Sequence, residues 1–245
     1  MTYKKLSIII PVYNEEKMVD EVLEKVIEAD SLGLKKEIII IDDGSFDKTR
    51  TKITHYIKEK KQKNKKFKIK TIFKKKNQGK GVAVKDGFLF STGDLVLVQD
   101  ADLEYNPSDY PILLEPFFKY DADVVYGSRF LTNRPRRVLY FWHAIGNYFL
   151  TTFSNMFTNL NLTDMETGYK AFRGELIRKI AKKLKSRRFG FEPEITAKIA
   201  KIKNLKIYEV SISYFGRTYD QGKKINWIDG VKAFFEIIKF NLFEK

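Results

Sequence analysis

Residues 96–104 read Val96-Leu97-Val98-Gln99-Asp100-Ala101-Asp102-Leu103-Glu104. Leu95 to Val98 is a short apolar run with the length and β-branched content of a buried strand. It ends in Asp100 and Asp102, with Glu104 two residues further on. Residues two apart lie on the same side of an extended chain, so the three acids are placed to point one way. Like charges held together call for a proton or a cation. Hard cations such as Mg²⁺ and Mn²⁺ take oxygen ligands and bind substrate phosphates at the same time. In isolation such an Asp-x-Asp reads first as a solvated turn at a strand end. The rest of the chain changes that reading.

Outward from this stretch, short apolar runs alternate with helical patterns. Leu6 to Ile10 reads as a buried strand stopped by Pro11. Asn14 offers a helix cap, and Val19, Val22, Leu23, Val26 and Ile27 follow at helical spacing. Gly33 sits in the return loop before a second strand, Glu37 to Ile41, which ends in Asp42 and Asp43. A second helix is predicted from about Asp47, and an edge strand over Phe67 to Phe73. Gly79 and Gly81 open a third helix. After the central strand come a helix near Asp109 to Lys119 and a strand from Asp123 to Tyr126 that leads to Arg129. Alternation with short connections predicts an α/β fold: a mostly parallel sheet with helices on both faces. Ligands in such sheets bind beyond the carboxyl ends of the strands. Four strands deliver polar groups there: Tyr13-Asn14-Glu15, Asp42-Asp43, Asp100 to Glu104, and Arg129.

Composition narrows the partners. A chain of 245 residues, 43% hydrophobic and 14% aromatic, buries a sizeable core and is read as a single domain over residues 1–245. There is no cysteine, so disulfides and thiolate metal sites are excluded, which fits a reducing compartment. No secretory signal is visible at the start. The net charge of +15, with eleven lysines between Lys58 and Lys76, suits either a solvated basic surface or anionic partners. Only Phe67 and Phe73 interleave with those lysines, so a nucleic-acid platform is not expected.

After Arg129 the character changes. Arg134, Arg136 and Arg137 precede Val138 to Thr163, which holds no Asp, Glu, Lys or Arg and is rich in Phe, Tyr and Trp. His143, Asn147, Thr151, Thr152, Ser154, Asn155 and Asn159 interrupt it, so it predicts one or two amphipathic helices rather than a membrane span. Two placements stay open: a membrane interface, or packing on the sheet. Gly168 to Phe172 and a basic helix, Glu175 to Lys185, follow. Then come a helix over Glu194 to Lys203, a strand over Leu205 to Val210, a Gly-punctuated basic loop, and an amphipathic helix over Asp229 to Phe243. In that last helix Val231, Phe234, Phe235, Ile238 and Leu242 share one side.

Six motifs stand in an order that resembles a known family: Pro11-Val12-Tyr13-Asn14-Glu15, Asp42-Asp43-Gly44-Ser45, Asn77-Gln78-Gly79-Lys80-Gly81, Asp100-Ala101-Asp102, Gly127-Ser128-Arg129, and Asp164 to Arg173. Over nearly its whole length the chain looks like the family-two inverting glycosyltransferases of GT-A fold. Within them it is most similar to the dolichyl- or polyprenyl-phosphate mannose and glucose synthases. The resemblance implies that Tyr13 stacks on a nucleotide base, Asp43 accepts a hydrogen bond from it, Pro11 and Ile41 line the pocket, and Glu15 lies near the ribose. It implies that Asp100 and Ala101 belong to the donor-binding site, and that Asp100, Asp102 and Glu104 surround a Mg²⁺ or Mn²⁺ that bridges the donor diphosphate, with Asp102 and Glu104 the direct ligands. Glu104 stands where the family often has Gln. Arg129 is expected to meet a phosphate, and Arg217 with Lys223 to clamp the diphosphate.

The implied donor is GDP-mannose or UDP-glucose and the implied acceptor a polyprenyl or dolichyl phosphate. The resemblance implies that residues 1–130 form the nucleotide-sugar half and residues 131–245 the acceptor and membrane-facing half. A phosphate acceptor is already an anion and needs little help from a base, whereas a glycan or protein hydroxyl acceptor needs one. Glu192 and Asp164 are the candidates, each also readable as a helix cap or an ion-pair partner. Many members carry C-terminal membrane spans, whereas this chain ends at Lys245 after an amphipathic helix. Peripheral attachment at the cytoplasmic face of a membrane is therefore expected, and a homo-oligomer is compatible with it.

Overall fold

The computed structural model describes residues 2–63, 67–131, 133–138, 140–188, 190–218, 220 and 227–244. The apolar runs form strands β1 (Lys5–Val12), β2 (Lys35–Asp42), β3 (Phe67–Phe73), β4 (Leu95–Val98), β5 (Val124–Ser128), β6 (Lys170–Arg173) and β7 (Ile207–Ser211). The helices are α1 (Val19–Glu28), α2 (Thr49–Lys63), α3 (Lys80–Phe90), α4 (Tyr110–Lys119), α5 (Phe141–Thr158), α6 (Gly174–Ala181), α7 (Phe191–Ala200) and α8 (Trp227–Ile238). One seven-stranded sheet results, in the order β3-β2-β1-β4-β6-β5-β7.

Alternation along each strand sends side chains to two cores. Ile8, Ile10, Ile38, Ile40, Leu95 and Leu97 pack with α1, α2 and α4 on one face. Ile9, Ile39, Ile41, Val96 and Val98 pack with α3, α6 and α7 on the other. Both faces are covered, which is why the strands read as unbroken apolar runs.

Several details differ from the expectations. β1 continues through Pro11, which pairs with Ile41 of β2. Ile9 accepts from Gln99 on the β4 side while Val12 accepts from Asp43 on the β2 side. By that parity the missing N–H of Pro11 faces β4, where pairing has already ended at Ile9, so no ladder bond is lost. Asn14 does not cap α1. It adopts φ 52°, and its side chain accepts the N–H of Phe46 instead. The aromatic segment is one helix, α5. In α8 and the following turn the inward residues are Ala233, Ile237 and Phe240, while Val231, Phe235 and Leu242 stay exposed. The stretch before the basic helix supplies β6, which runs antiparallel between β4 and β5.

That insertion matters for the site. Because β6 is antiparallel, the residues preceding it lie at the same rim as the residues following β4 and β5.

Candidate active site

Tyr13 to Glu15 follow β1, Asp43 follows β2, Asp100 to Glu104 follow β4, Arg129 follows β5, and Asp164 to Gly168 precede β6. Tyr214 to Arg217 return over this rim beyond β7, with Tyr214 bridged to Tyr105 and Phe215 donating to the Glu104 carbonyl.

At one end the Asp43 carboxylate is buried and accepts the N–H groups of Gln78 at 3.1 Å and Gly79 at 2.7 Å. Gly79 sits at φ 99° against the Arg187 carbonyl, a position closed to any side chain. The Tyr13 ring meets the exposed Phe46 ring edge-on at 6.2 Å. Ile41 is fully buried under α3 beside Gly87, while its partner Pro11 is half-buried. Ala101 is buried in the core below the rim.

In the middle the acids are held by two cations, Lys80 and Arg217. The Asp100 carboxylate accepts from Lys80 Nζ at 3.0 Å, and that ammonium also lies 3.3 Å from Glu192. Asp102 Oδ2 accepts from Arg217 Nη2 at 2.9 Å. Glu104 accepts the Tyr214 hydroxyl at 2.8 Å and the Arg217 backbone N–H at 2.9 Å. Arg217 Nη1 stands 3.9 Å from Glu15. Arg217 thus bridges Asp102 and Glu104 while Asp100 pairs with Lys80, and among the described residues no three His, Asp or Glu side chains converge as a ligand set. Lys223 lies outside the described residues.

Behind the acids is a buried frame. Gln99 donates to the carbonyls of Asp100 at 3.0 Å and Tyr105 at 3.2 Å and accepts from the hydroxyls of Tyr110 at 3.1 Å and Tyr169 at 2.9 Å. All four side-chain hydrogen-bonding positions of Gln99 on this count are used, so the turn carrying Asp100 is held from below.

At the far end Arg129 forks onto Asp164, with Nε at 2.6 Å and Nη2 at 2.7 Å. Asn147 of α5 accepts from Arg129 Nη2 at 3.1 Å and donates to Asp164 at 3.2 Å. The guanidinium also lies over the Tyr214 ring, 5.3 Å from its centre.

The charges are unevenly compensated. Burial, and then the repulsion of Asp100 and Glu104, push the Asp102 carboxyl up, against the pull of Arg217. Burial alone lowers the Lys80 ammonium, yet Asp100 and Glu192 outweigh it and hold it charged. Two oxygen-donor carboxylates, neutralised by a lysine and an arginine and still crowded with negative charge, fit a hard divalent cation.

A comparison of the whole chain with protein-family models matches residues 7–181 to "Glycosyl transferase family 2". The chain belongs to that family. It is a glycosyltransferase. It is 33% identical over 220 residues to a dolichyl-phosphate beta-glucosyltransferase of Dictyostelium discoideum, covering 85% of this chain and 66% of that one. It is 35% identical over 127 residues to a dolichol-phosphate mannosyltransferase of Pyrococcus furiosus, covering 52% of this chain and 34% of that one. Among solved structures, glucosyl-3-phosphoglycerate synthase of Mycobacterium tuberculosis, in complex with Mn²⁺, UDP and phosphoglyceric acid, superposes with a TM-score of 0.71 at 16% identity. That superposition covers 98% of this chain and 79% of the other, and it shows the fold to be GT-A.

Several residues that build this candidate site carried no role in the sequence reading: Lys80, Gln99, Asn147 and Tyr214. Lys80 had a usable signal, since it stands inside one of the six motifs. Asn147 had none, because only the packing of α5 brings it to Arg129.

Proposed function

We propose that this chain transfers a hexose from a nucleotide sugar, UDP-glucose or GDP-mannose, to a polyprenyl or dolichyl phosphate at a membrane surface, with inversion at the anomeric carbon. The observation that carries the reading is the two-sidedness of α5. Its inner side is polar and reaches the site: Asn147 touches Arg129 and Asp164, and Thr151 accepts the Met165 N–H. Its outer side is aromatic and bare, with Trp142 78% and Tyr148 70% exposed. α8 extends the same surface, stacking Phe234 on Phe153 at 4.5 Å and leaving Phe235 63% exposed. Arg134 and Arg136, both exposed, lie before α5. Exposed aromatic rings beside arginines suit a helix lying in an anionic lipid interface. Among the described residues no helix is long and apolar enough to cross a membrane. The cytoplasmic leaflet, with its negative surface potential, is the matching face for a chain of net charge +15.

What the carboxylates already do supports this acceptor class. Asp164 is held in the Arg129 fork and Glu192 sits on Lys80, so neither is presented as a base. A lipid phosphate needs none: its oxygen attacks the anomeric carbon as an anion, the bond from that carbon to the diphosphate breaks, and the nucleoside diphosphate leaves with the electron pair. Asp100 and Asp102, rather than the expected pair Asp102 and Glu104, would hold a Mg²⁺ or Mn²⁺, since both Glu104 oxygens already accept from Tyr214 and the Arg217 N–H; the cation would stabilise negative charge on the diphosphate. Arg217, and Lys223 six residues further on in sequence, would contribute fixed positive charge to the leaving group. Tyr13 and Asp43 would hold the base, with Glu15 near the ribose. Residues 131–245 would form the acceptor side.

The test is direct. The protein is incubated with Mn²⁺, a short polyprenyl phosphate and a panel of nucleotide sugars, and consumption of each donor is followed. Turnover onto the lipid phosphate is expected with one of them, and none with any donor overturns the reading. Sedimentation with anionic liposomes, reversed by salt, is the second expectation. Retention in the supernatant at low salt overturns the membrane part.

A further inference from the structure

Between Arg129 and the Asp100 carboxylate runs the short segment Asp164 to Gly168. Its two ends are pinned: Asp164 by the Arg129 fork, and Gly168 by donation of its N–H to the Tyr105 hydroxyl at 2.9 Å, in a spot where the Asp100 carboxylate leaves no room for a side chain. Its middle is pinned from inside, since the Lys170 ammonium donates to the carbonyls of Met165 and Thr167. Glu166 sits in this fixed wall. Its Oε1 is buried and meets no hydrogen-bond partner among the described residues. A buried polar oxygen without a partner costs stability, so its persistence points to a ligand that supplies one.

The position along the rim identifies which part of a ligand reaches it. The order across the sheet is β2, β1, β4, β6, β5. On the proposed function the base lies over the ends of β2 and β1 and the diphosphate over the end of β4. The sugar then lies over the segment entering β6, where Glu166 stands. Glu192 and Asp164 are close enough to raise its carboxyl electrostatically, after burial itself, against the pull of Lys170 and Arg129. Such surroundings disfavour a second phosphate and favour a neutral group that both donates and accepts.

We propose that Glu166 is a specificity-determining residue that hydrogen-bonds one hydroxyl of the transferred sugar. This rests on the donor half of the proposed function and not on the acceptor.

The test is a binding titration with Mn²⁺ and no acceptor, comparing UDP-glucose with UDP and GDP-mannose with GDP. Wild type is expected to bind one sugar nucleotide more tightly than its diphosphate. Glu166→Met, which keeps volume and removes both oxygens, is expected to lose about tenfold of that margin while diphosphate affinity stays within twofold. Glu166→Gln, which keeps a polar group, is expected to recover most of it. One monodeoxy analogue of the sugar should bind wild type and Glu166→Met alike, naming the hydroxyl. Thermal melting of Glu166→Gln is expected to stay within a few degrees of wild type, so that its binding margin is read on folded protein. An unchanged margin in Glu166→Met, an equal loss on the diphosphate alone, or no margin in wild type overturns the assignment. Should transfer to lipid phosphate fail while this binding pattern holds, the acceptor reading falls and the assignment of Glu166 stands.

Discussion

Arg129 binds Asp164 through a two-pronged fork, with Nε and Nη2 each within 2.7 Å of a different carboxylate oxygen. The pair ties the end of β5 to the segment entering β6, and Asn147 fastens both to α5. Asp164 is fully buried, so removing its charge strands the guanidinium in a poorly hydrated place. Asp164→Asn is expected to cost about 3 kcal/mol. For a chain of this size that lowers the melting midpoint by roughly 6–12 °C, measurable by calorimetry. Arg129→Lys keeps a charge but loses the fork and should fall between. A variant Asp164→Asn that melts with wild type would show the pair to be unimportant.

Glu104 holds the returning basic loop. It takes the Arg217 N–H and the Tyr214 hydroxyl, one on each oxygen. Glu104→Ala is expected to lower kcat/KM by about tenfold to a hundredfold through loss of Arg217 placement. Mn²⁺ affinity, titrated without acceptor, should fall less in Glu104→Ala than in Asp102→Ala. An equal loss in both would make Glu104 a direct ligand.

Lys80 neutralises two carboxylates at once, Asp100 at 3.0 Å and Glu192 at 3.3 Å. Lys80→Met leaves both without that cation and should destabilise by about 3 kcal/mol. A divalent cation on Asp100 would restore part of this. The gain in melting temperature on adding Mn²⁺ with nucleoside diphosphate should therefore be larger in Lys80→Met than in wild type. A smaller gain would place the cation elsewhere.

Glu37 sits at the opposite end of the sheet from the site and bears on stability alone. Burial raises its pKa, but hydrogen bonds from Lys70, Ser7 and Thr92 outweigh burial and hold it at about 2. A carboxylate depressed from an ordinary 4.5 in the native state stabilises fully above about pH 4.5, and this is lost as pH falls toward 2. Glu37→Gln should cost about 2 kcal/mol at pH 7. Its deficit relative to wild type should shrink between pH 4.5 and pH 2, as read by denaturant unfolding. A deficit independent of pH would mean that charge is not what Glu37 supplies.

How much was legible beforehand differs by element. β1, β2 and β4 announced themselves because strands buried on both faces must be apolar throughout. β6 is four residues long and carries a buried lysine, so no periodicity marked it. Pro11 and Asn14 misled for one reason: a local rule, strand-breaking or helix-capping, was overridden by where neighbouring chains lay. The apolar side of α8 was visible, but it divides: Phe234 stacks on Phe153 of α5 while Val231, Phe235 and Leu242 stay exposed.

By itself the sequence determined the alternation of strands and helices, the acids that end them, and the order of six motifs that marks the family. These depend on burial and on local spacing, which a linear chain records. Only the tertiary structure decided the partners. It placed Asp102 on Arg217, Asp100 on Lys80, and Glu104 on the returning loop, and it left Glu166 with a bare oxygen in a fixed wall. Those pairings join residues as much as 115 positions apart. Long-range Coulomb attraction and burial select them, and neither leaves a periodic trace in the chain.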